Sequence, residues 1–177
     1  GRRGPIILRV GTDGSVQVDA GGNARGVKAV DFQSVRTAAT QVASGPYSFI
    51  AGGFRNTASG YGAHAEGGDS VSFGYFSHAE GAQCKAGPYG HAEGFATYAA
   101  YFSHAEGDTT QATGYYSHAE GQNTTASGKS AHSEGSGSVA SGRESHAEGR
   151  AALSSGDYSH AEGYSIASGF GAHSEGE

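Results

Sequence analysis

Beyond residue 60 the chain offers almost no apolar stripe from which to read an amphipathic element: its only aliphatic side chains larger than alanine there are Val71, Val139, Leu153 and Ile166. What recurs instead is a frame of small residues, glycine and one polar pair. Histidines stand at His64, His78, His91, His104, His118, His132, His146, His160 and His173, spaced by 13 or 14 residues. Each is followed two positions later by glutamate: Glu66, Glu80, Glu93, Glu106, Glu120, Glu134, Glu148, Glu162 and Glu175. Glycine comes one position after that, and glycine also stands four positions before each histidine, with Ala100 the one replacement. The unit reads x-A-S-G-x-x-S-H-A-E-G, and a fixed period of this kind is the signature of a stacked repeat.

Two short segments separated by glycine in each unit predict two short strands and two tight turns, since glycine supplies turn conformations that other residues resist. A helix is the poorer reading, because two interior glycines per unit would cost about 1 kcal/mol each relative to alanine. Strands stacked coil upon coil give a parallel solenoid; at the strand spacing of about 4.8 Å, nine coils make a rod on the order of 40 Å long. Alternation along the strand places histidine and glutamate on one side and their small neighbours on the other. Only small residues fit inside so thin a coil, so histidine and glutamate project outward, into water or against other chains. Contact between chains is the favoured expectation, because a roll with so little apolar surface has poor means of standing alone.

Composition sharpens this picture. Leu, Ile, Val and Phe make up 23 of the 177 residues, too few for a doubly wound enzyme or a helical bundle. Aromatic residues at 10% and a net charge of only −6 argue equally against a disordered chain. Residues 1–55 carry seven Arg/Lys against three Asp, and residues 56–177 four against fourteen Asp/Glu, which argues against nucleic acid as a partner for the repeats. Cys84 is the only cysteine, so an intrachain disulfide and a multi-cysteine zinc site are excluded. No apolar run approaches the length of a membrane span, and no signal peptide is evident. The chain lacks methionine and closes just after a repeat motif, which points to a piece of something longer.

The histidine/glutamate ladder admits three chemistries. Catalysis needs one pocket with a nucleophile or metal, and nine equivalent pairs along a rod offer none. A metal array is open to imidazole and carboxylate ligands, and these histidines are its candidates. The favoured reading is a structural network without metal or other cofactor, in which each histidine donates to a glutamate and so satisfies polar groups that burial would penalise. Aromatics gather two or three positions before the histidine, at Tyr61, Tyr75, Phe76, Tyr89, Tyr101, Phe102, Tyr115, Tyr116, Tyr158 and Phe170. They are expected to form a surface ladder, open to sugar rings or to a protein surface but more readily explained by packing. Lys129, Ser130, Arg143 and Glu144 interrupt it.

The S-H-A-E-G and x-A-S-G units resemble the head repeats of trimeric autotransporter (YadA-like) adhesins, whose S-V-A-I-G motif has the same length and small-residue frame. Similar S-H-A-E-G arrays look like those of bacteriophage tail fibres and tailspikes. The resemblance covers residues 47–177, about ten coils. It implies an all-β fold, a left-handed parallel β-roll of 13–14-residue repeats, homotrimeric about a threefold axis that the two large residues of each motif face. Carried over, histidine takes the place of the family's valine and glutamate that of its isoleucine, so the axis is polar here. Ser48 to Gly53 look like one further coil, with Phe49 in the histidine place and Ala51 in the glutamate place as an apolar plug. Residues 1–46 are read as a hairpin and connector: Pro5 to Val10 and Val16 to Val18 flank the turn signal Thr12-Asp13-Gly14. The stretch from Asn23 to Gln33 resembles the connector of phage fibre proteins, and Gly1 to Gly4 a tag remnant or stalk end. The function so implied is a non-enzymatic shaft or receptor-facing segment of a tail fibre in the virion. Its partners are its own copies and a host cell-surface glycan or protein, with no membrane. The alternative is the head of a bacterial surface adhesin binding host matrix.

Overall fold

The computed structural model describes residues 8–18 and 21–176, so the expectations for Gly1 to Gly4 and for Pro5, Ile6 and Ile7 lie outside the described residues. Among the described residues the chain is all-β, a solenoid whose strands fall into two sheets, one of 13 strands and one of nine. The first sheet begins with strands β1 (Arg9–Val10), β2 (Val16–Gln17), β3 (Val30–Asp31) and β4 (Phe49–Ile50). The nine histidine strands follow in sequence order, and the second sheet is built from the x-A segments between them. Pairing is parallel throughout, except where β1 meets β2 antiparallel across the Thr12-Asp13-Gly14 turn. Each histidine lies beside the next, as in His91 with His104 and His104 with His118, so every coil repeats its neighbour's register.

The interior is made almost wholly of small side chains. Ala65, Ala79, Ala92, Ala105, Ala119, Ala147 and Ala161, each directly after a histidine, are fully buried, as are Ala58, Ala86, Ala99, Ala112, Ala126 and Ala140 from the second sheet. A third inward column holds Ser70, Cys84, Thr97, Thr110, Thr124 and Ser138. Cys84 is a packing residue in that column, its thiol donating to the Gly94 carbonyl at 3.2 Å. Serines before the histidines close the turns onto themselves, as when the Ser117 hydroxyl donates to the Gly114 carbonyl at 2.7 Å. The glycine after each glutamate from Glu66 to Glu162 is fixed by two demands at once. Gly121 has φ +102°, and a Cβ there would stand 2.1 Å from the Gly135 carbonyl oxygen of the next coil.

The solenoid does not begin at residue 47. Val30 pairs in parallel with Phe49, and Val16 with Val30, so the histidine column is continued upstream by Phe49, Val30 and Val16. The bridges Val35 to Phe54 and Ala43 to Ala58 close the intervening coil, so the stretch read as a separate connector is part of the roll. Its polar residues are interior. Asp31 is fully buried, with Arg25 Nε and Arg36 Nη2 each at 2.9 Å from its Oδ2. Gln33, also fully buried, donates to the carbonyls of Gln41 and Asn56 and accepts from the Asn56 amide. These polar groups bond one another and the backbone, which lets an enlarged coil stack on the small-residue core.

Candidate functional site: the histidine and glutamate columns

Because the alanine or serine between them is turned inward, histidine and glutamate of every coil stand together on the outer side of the first sheet, and parallel register stacks like upon like. The nine imidazoles form one continuous pile from His64 to His173, with ring centroids 4.4 to 4.9 Å apart. The pile begins on the ring of Phe49, 5.0 Å from His64, which Phe32 meets edge-on at 6.1 Å. A polar column thus grows out of an apolar one without a break.

The donor network expected within each pair is not made inside the chain. His118 Nε2 lies 3.5 Å from Glu120 Oε2, and the same pairing at His64, His78, His91, His132 and His146 runs from 3.6 to 3.9 Å. Nε2 of these six, and of His104 and His160, is buried and without a hydrogen-bond partner. His160 approaches Glu148 of the preceding coil at 3.7 Å, and His173 stands 3.2 Å from Glu175.

Protonation follows burial rather than the nearby carboxylates. His78, His91, His118 and His146 are held below the ordinary histidine range, first by desolvation between the rings above and below and second by the neighbouring imidazoles. These rings are therefore neutral at pH 7, and their contacts with glutamate are not salt bridges. This reverses the simplest charge argument, in which a line of carboxylates would hold protons on the histidines. The carboxylates relieve their crowding partly among themselves. Glu134 is raised above its usual value, first by a hydrogen bond with Glu148 and then by desolvation.

As metal ligands, triples such as His118, Glu120 and His132 bring one donor atom each within 4.8 Å of one another. Yet the planes of His118 and His132 differ by only 12°, and those of His132 and His146 by 3°. The in-plane lone pairs of stacked rings run side by side rather than converging on one ion.

The aromatic residues resolve into two adjacent columns rather than one ladder. Phe76, Tyr89, Phe102 and Tyr116, two positions before the histidine, stack at 6.1, 4.6 and 5.3 Å. Three positions before it, Tyr101 meets Tyr115 at 5.2 Å and Tyr61 meets Tyr75 at 6.4 Å. Tyr158 and Phe170 form a separate pair beyond the gap at Lys129, Ser130, Arg143 and Glu144, with the Arg143 guanidinium 4.9 Å over the Tyr158 ring. The four stacked rings sit on left-handed corners, φ 48° to 60°, a conformation that disfavours such residues. Each corner amide reaches back to the corner carbonyl one coil earlier, Tyr89 to Tyr75 at 2.8 Å for example. Stacking and this bond hold the corner, and they leave ring edges rather than ring faces to a ligand.

The sequence profile described as the YadA head domain repeat matches the chain twice, over residues 53–83 and 119–145. Over those two segments the chain carries YadA-like head repeats. No curated protein matches it. In these YadA-like coils the two outward positions of the motif are histidine and glutamate. Sequence reasoning found both columns in the nine polar coils and missed their extension through Val16 and Val30. The 14-residue step from Val16-Gln17-Val18 to Val30-Asp31-Phe32, the same period and alternation, is the signal that marks it.

Proposed function

We propose that three copies of the chain, each a left-handed roll, pack their histidine/glutamate faces about a threefold axis into a rigid shaft that presents itself to a host surface. The observation that carries this reading is the row of eight buried, unpartnered Nε2 atoms, continuous with the apolar column of Val16, Val30 and Phe49. Buried polar atoms without partners are costly, and one face that changes from apolar to polar along its length is suited to a repeated contact with itself. The role is structural and non-enzymatic, since the columns offer nine equivalent pairs and no distinct nucleophile.

The S-H-A-E-G form favours a tail fibre or tailspike exposed on a virion, and the YadA head match supports equally the head of a bacterial surface adhesin. The full gene beside its neighbours separates them: tail-attachment segments mark the first, a C-terminal membrane-anchor barrel the second. Light scattering tests the assembly, with three times the 17.8 kDa chain mass expected. A folded monomer would overturn it.

A further inference from the structure

Coil length is not uniform, and its irregularities coincide with grooves. His78, His91 and His104 are separated by 13 residues each, whereas the coils on either side have 14. The two shortened coils lose a residue in the turn after the second-sheet strand, where Phe73-Gly74 of the preceding coil is answered by Gly87 and then by Ala100. A cavity of about 640 Å³ lies beside these coils, lined by Asp69, Phe73, Gln83, Lys85, Tyr98 and Gln111. A second groove, about 430 Å³, lies at the other 13-residue coil, between His160 and His173, but is lined by Ala151, Leu153, Tyr164, Ser165 and Ile166 without a charge.

The larger groove has the chemistry of a sugar site. Val71, Lys85, Tyr98 and Gln111 are successive partners in the second sheet, and the last three of this column line the groove. Among the described residues the rings of Phe73 and Tyr98 have no aromatic partner, unlike the stacked column, and Phe73 is 45% exposed while Tyr98 is half-buried. Gln83 and Gln111 add exposed amides that both donate and accept. Asp69 is already engaged by Arg55, whose Nε donates to its Oδ1 at 2.7 Å, so that pair is neutral. Lys85 has no ion-pair partner among the described residues. It leaves the groove one positive charge in a stretch, residues 56–177, where acids outnumber bases fourteen to four.

We propose that this groove binds a short carboxylated saccharide, the sugar rings lying against Phe73 and Tyr98, their hydroxyls bonded by Gln83 and Gln111, and the carboxylate held by Lys85. A single ammonium matches a monoanion, whereas a phosphate dianion would be undercompensated. Its size is that of small-ligand sites, about 300 to 1,000 Å³. The groove belongs to the second sheet, not to the histidine face, so assembly of copies through that face leaves it open. The inference deepens the attachment reading and rests on it.

The test is titration of the full chain with trigalacturonate and with 3′-sialyllactose, using lactose and inorganic phosphate as controls, read by calorimetry or ligand-observed NMR. At least one carboxylated probe is expected to bind in the millimolar range or tighter. Lys85→Gln and Tyr98→Ala should each weaken it tenfold or more, and Lys129→Gln should not. Binding of neither carboxylated probe, equal binding of lactose or phosphate, or indifference to Lys85→Gln would overturn the proposal. Light scattering on the same samples separates the failures: an intact trimer without sugar binding sinks the groove alone, and a monomer that binds sinks only the assembly.

Discussion

At His118 the ring lies between those of His104 and His132, 4.8 Å from each, with Nε2 buried and unpartnered. Replacing the pair together, His118→Val with Glu120→Ile, removes the polar atoms and restores an apolar layer, and is expected to be neutral or stabilising, by roughly 0 to 2 kcal/mol per chain. His118→Ala alone opens a gap in the pile and leaves Glu120, and should cost about 1 to 2 kcal/mol. Thermal melts that rank the two in the opposite order would refute this account of the column.

The same stacking sets the response to pH. His91 faces His78 and His104 from the adjoining strands, with Glu93 and Glu80 beside it; His118 faces His104 and His132, with Glu120 and Glu106. Their folded pKa values lie below the unfolded value of about 6.5, so the unfolded chain binds more protons and stability rises with pH. The contribution is complete above about pH 6.5 and is lost as pH falls through the lowered folded values. Glu134, raised, contributes in the opposite sense, and only in the acidic carboxylate window. Melting temperature is expected to be flat from about pH 8 to 7 and to fall toward pH 5; a rise over that interval would show that the rings gain protons on folding. None of this was legible in the spacing of His and Glu, because how closely rings cover one another is a property of the stacked coils and not of one motif.

Within the coil, glycine positions that look alike in sequence differ in consequence. Gly121→Ala drives a methyl group into the Gly135 carbonyl, with φ already +102°, whereas Gly137 has φ +70° and open space around its Cβ position. The first substitution should cost more than about 3 kcal/mol and the second about 1 kcal/mol, compared by denaturant melts of the two variants. The repeat frame made the small-residue interior and the outward columns readable, since histidine, a small residue and glutamate alternate in every unit. The first coils were not readable in that way. Between Val30 and Phe49 the chain spends 19 residues rather than 14, and the added stretch carries Gln33, Arg36 and Gln41, polar residues that suggest a surface connector. Inside the fold, Asp31 binds Arg25 and Arg36 in a buried cluster that sequence alone does not pair. Asp31→Ala leaves two arginines without that carboxylate and is expected to cost about 3 to 5 kcal/mol, read in the same melts.

Over the whole molecule, a coil contacts chiefly the coil before and the coil after it, so stability is close to a sum of coil and interface terms. Deleting Ala119 through His132 joins His118 to Ser133 and Glu134 and preserves the motif and the register. The shortened chain should fold and assemble as before, by circular dichroism and light scattering; failure to fold would show that the coils are not interchangeable. The backbone bonds between coils, His118 N to the Ala131 carbonyl at 2.9 Å for instance, run along the rod rather than across it. A pull on the two ends of one chain therefore loads these bonds one rung after another instead of all together. Such a rod is stiff against bending and compression yet yields at its ends under tension, paying out chain in nearly equal lengths. Each released 14-residue coil adds roughly 45 Å of extended chain once its rise of about 5 Å is subtracted. Traction on the roll would be met by a regular staircase of small give rather than by a single rupture.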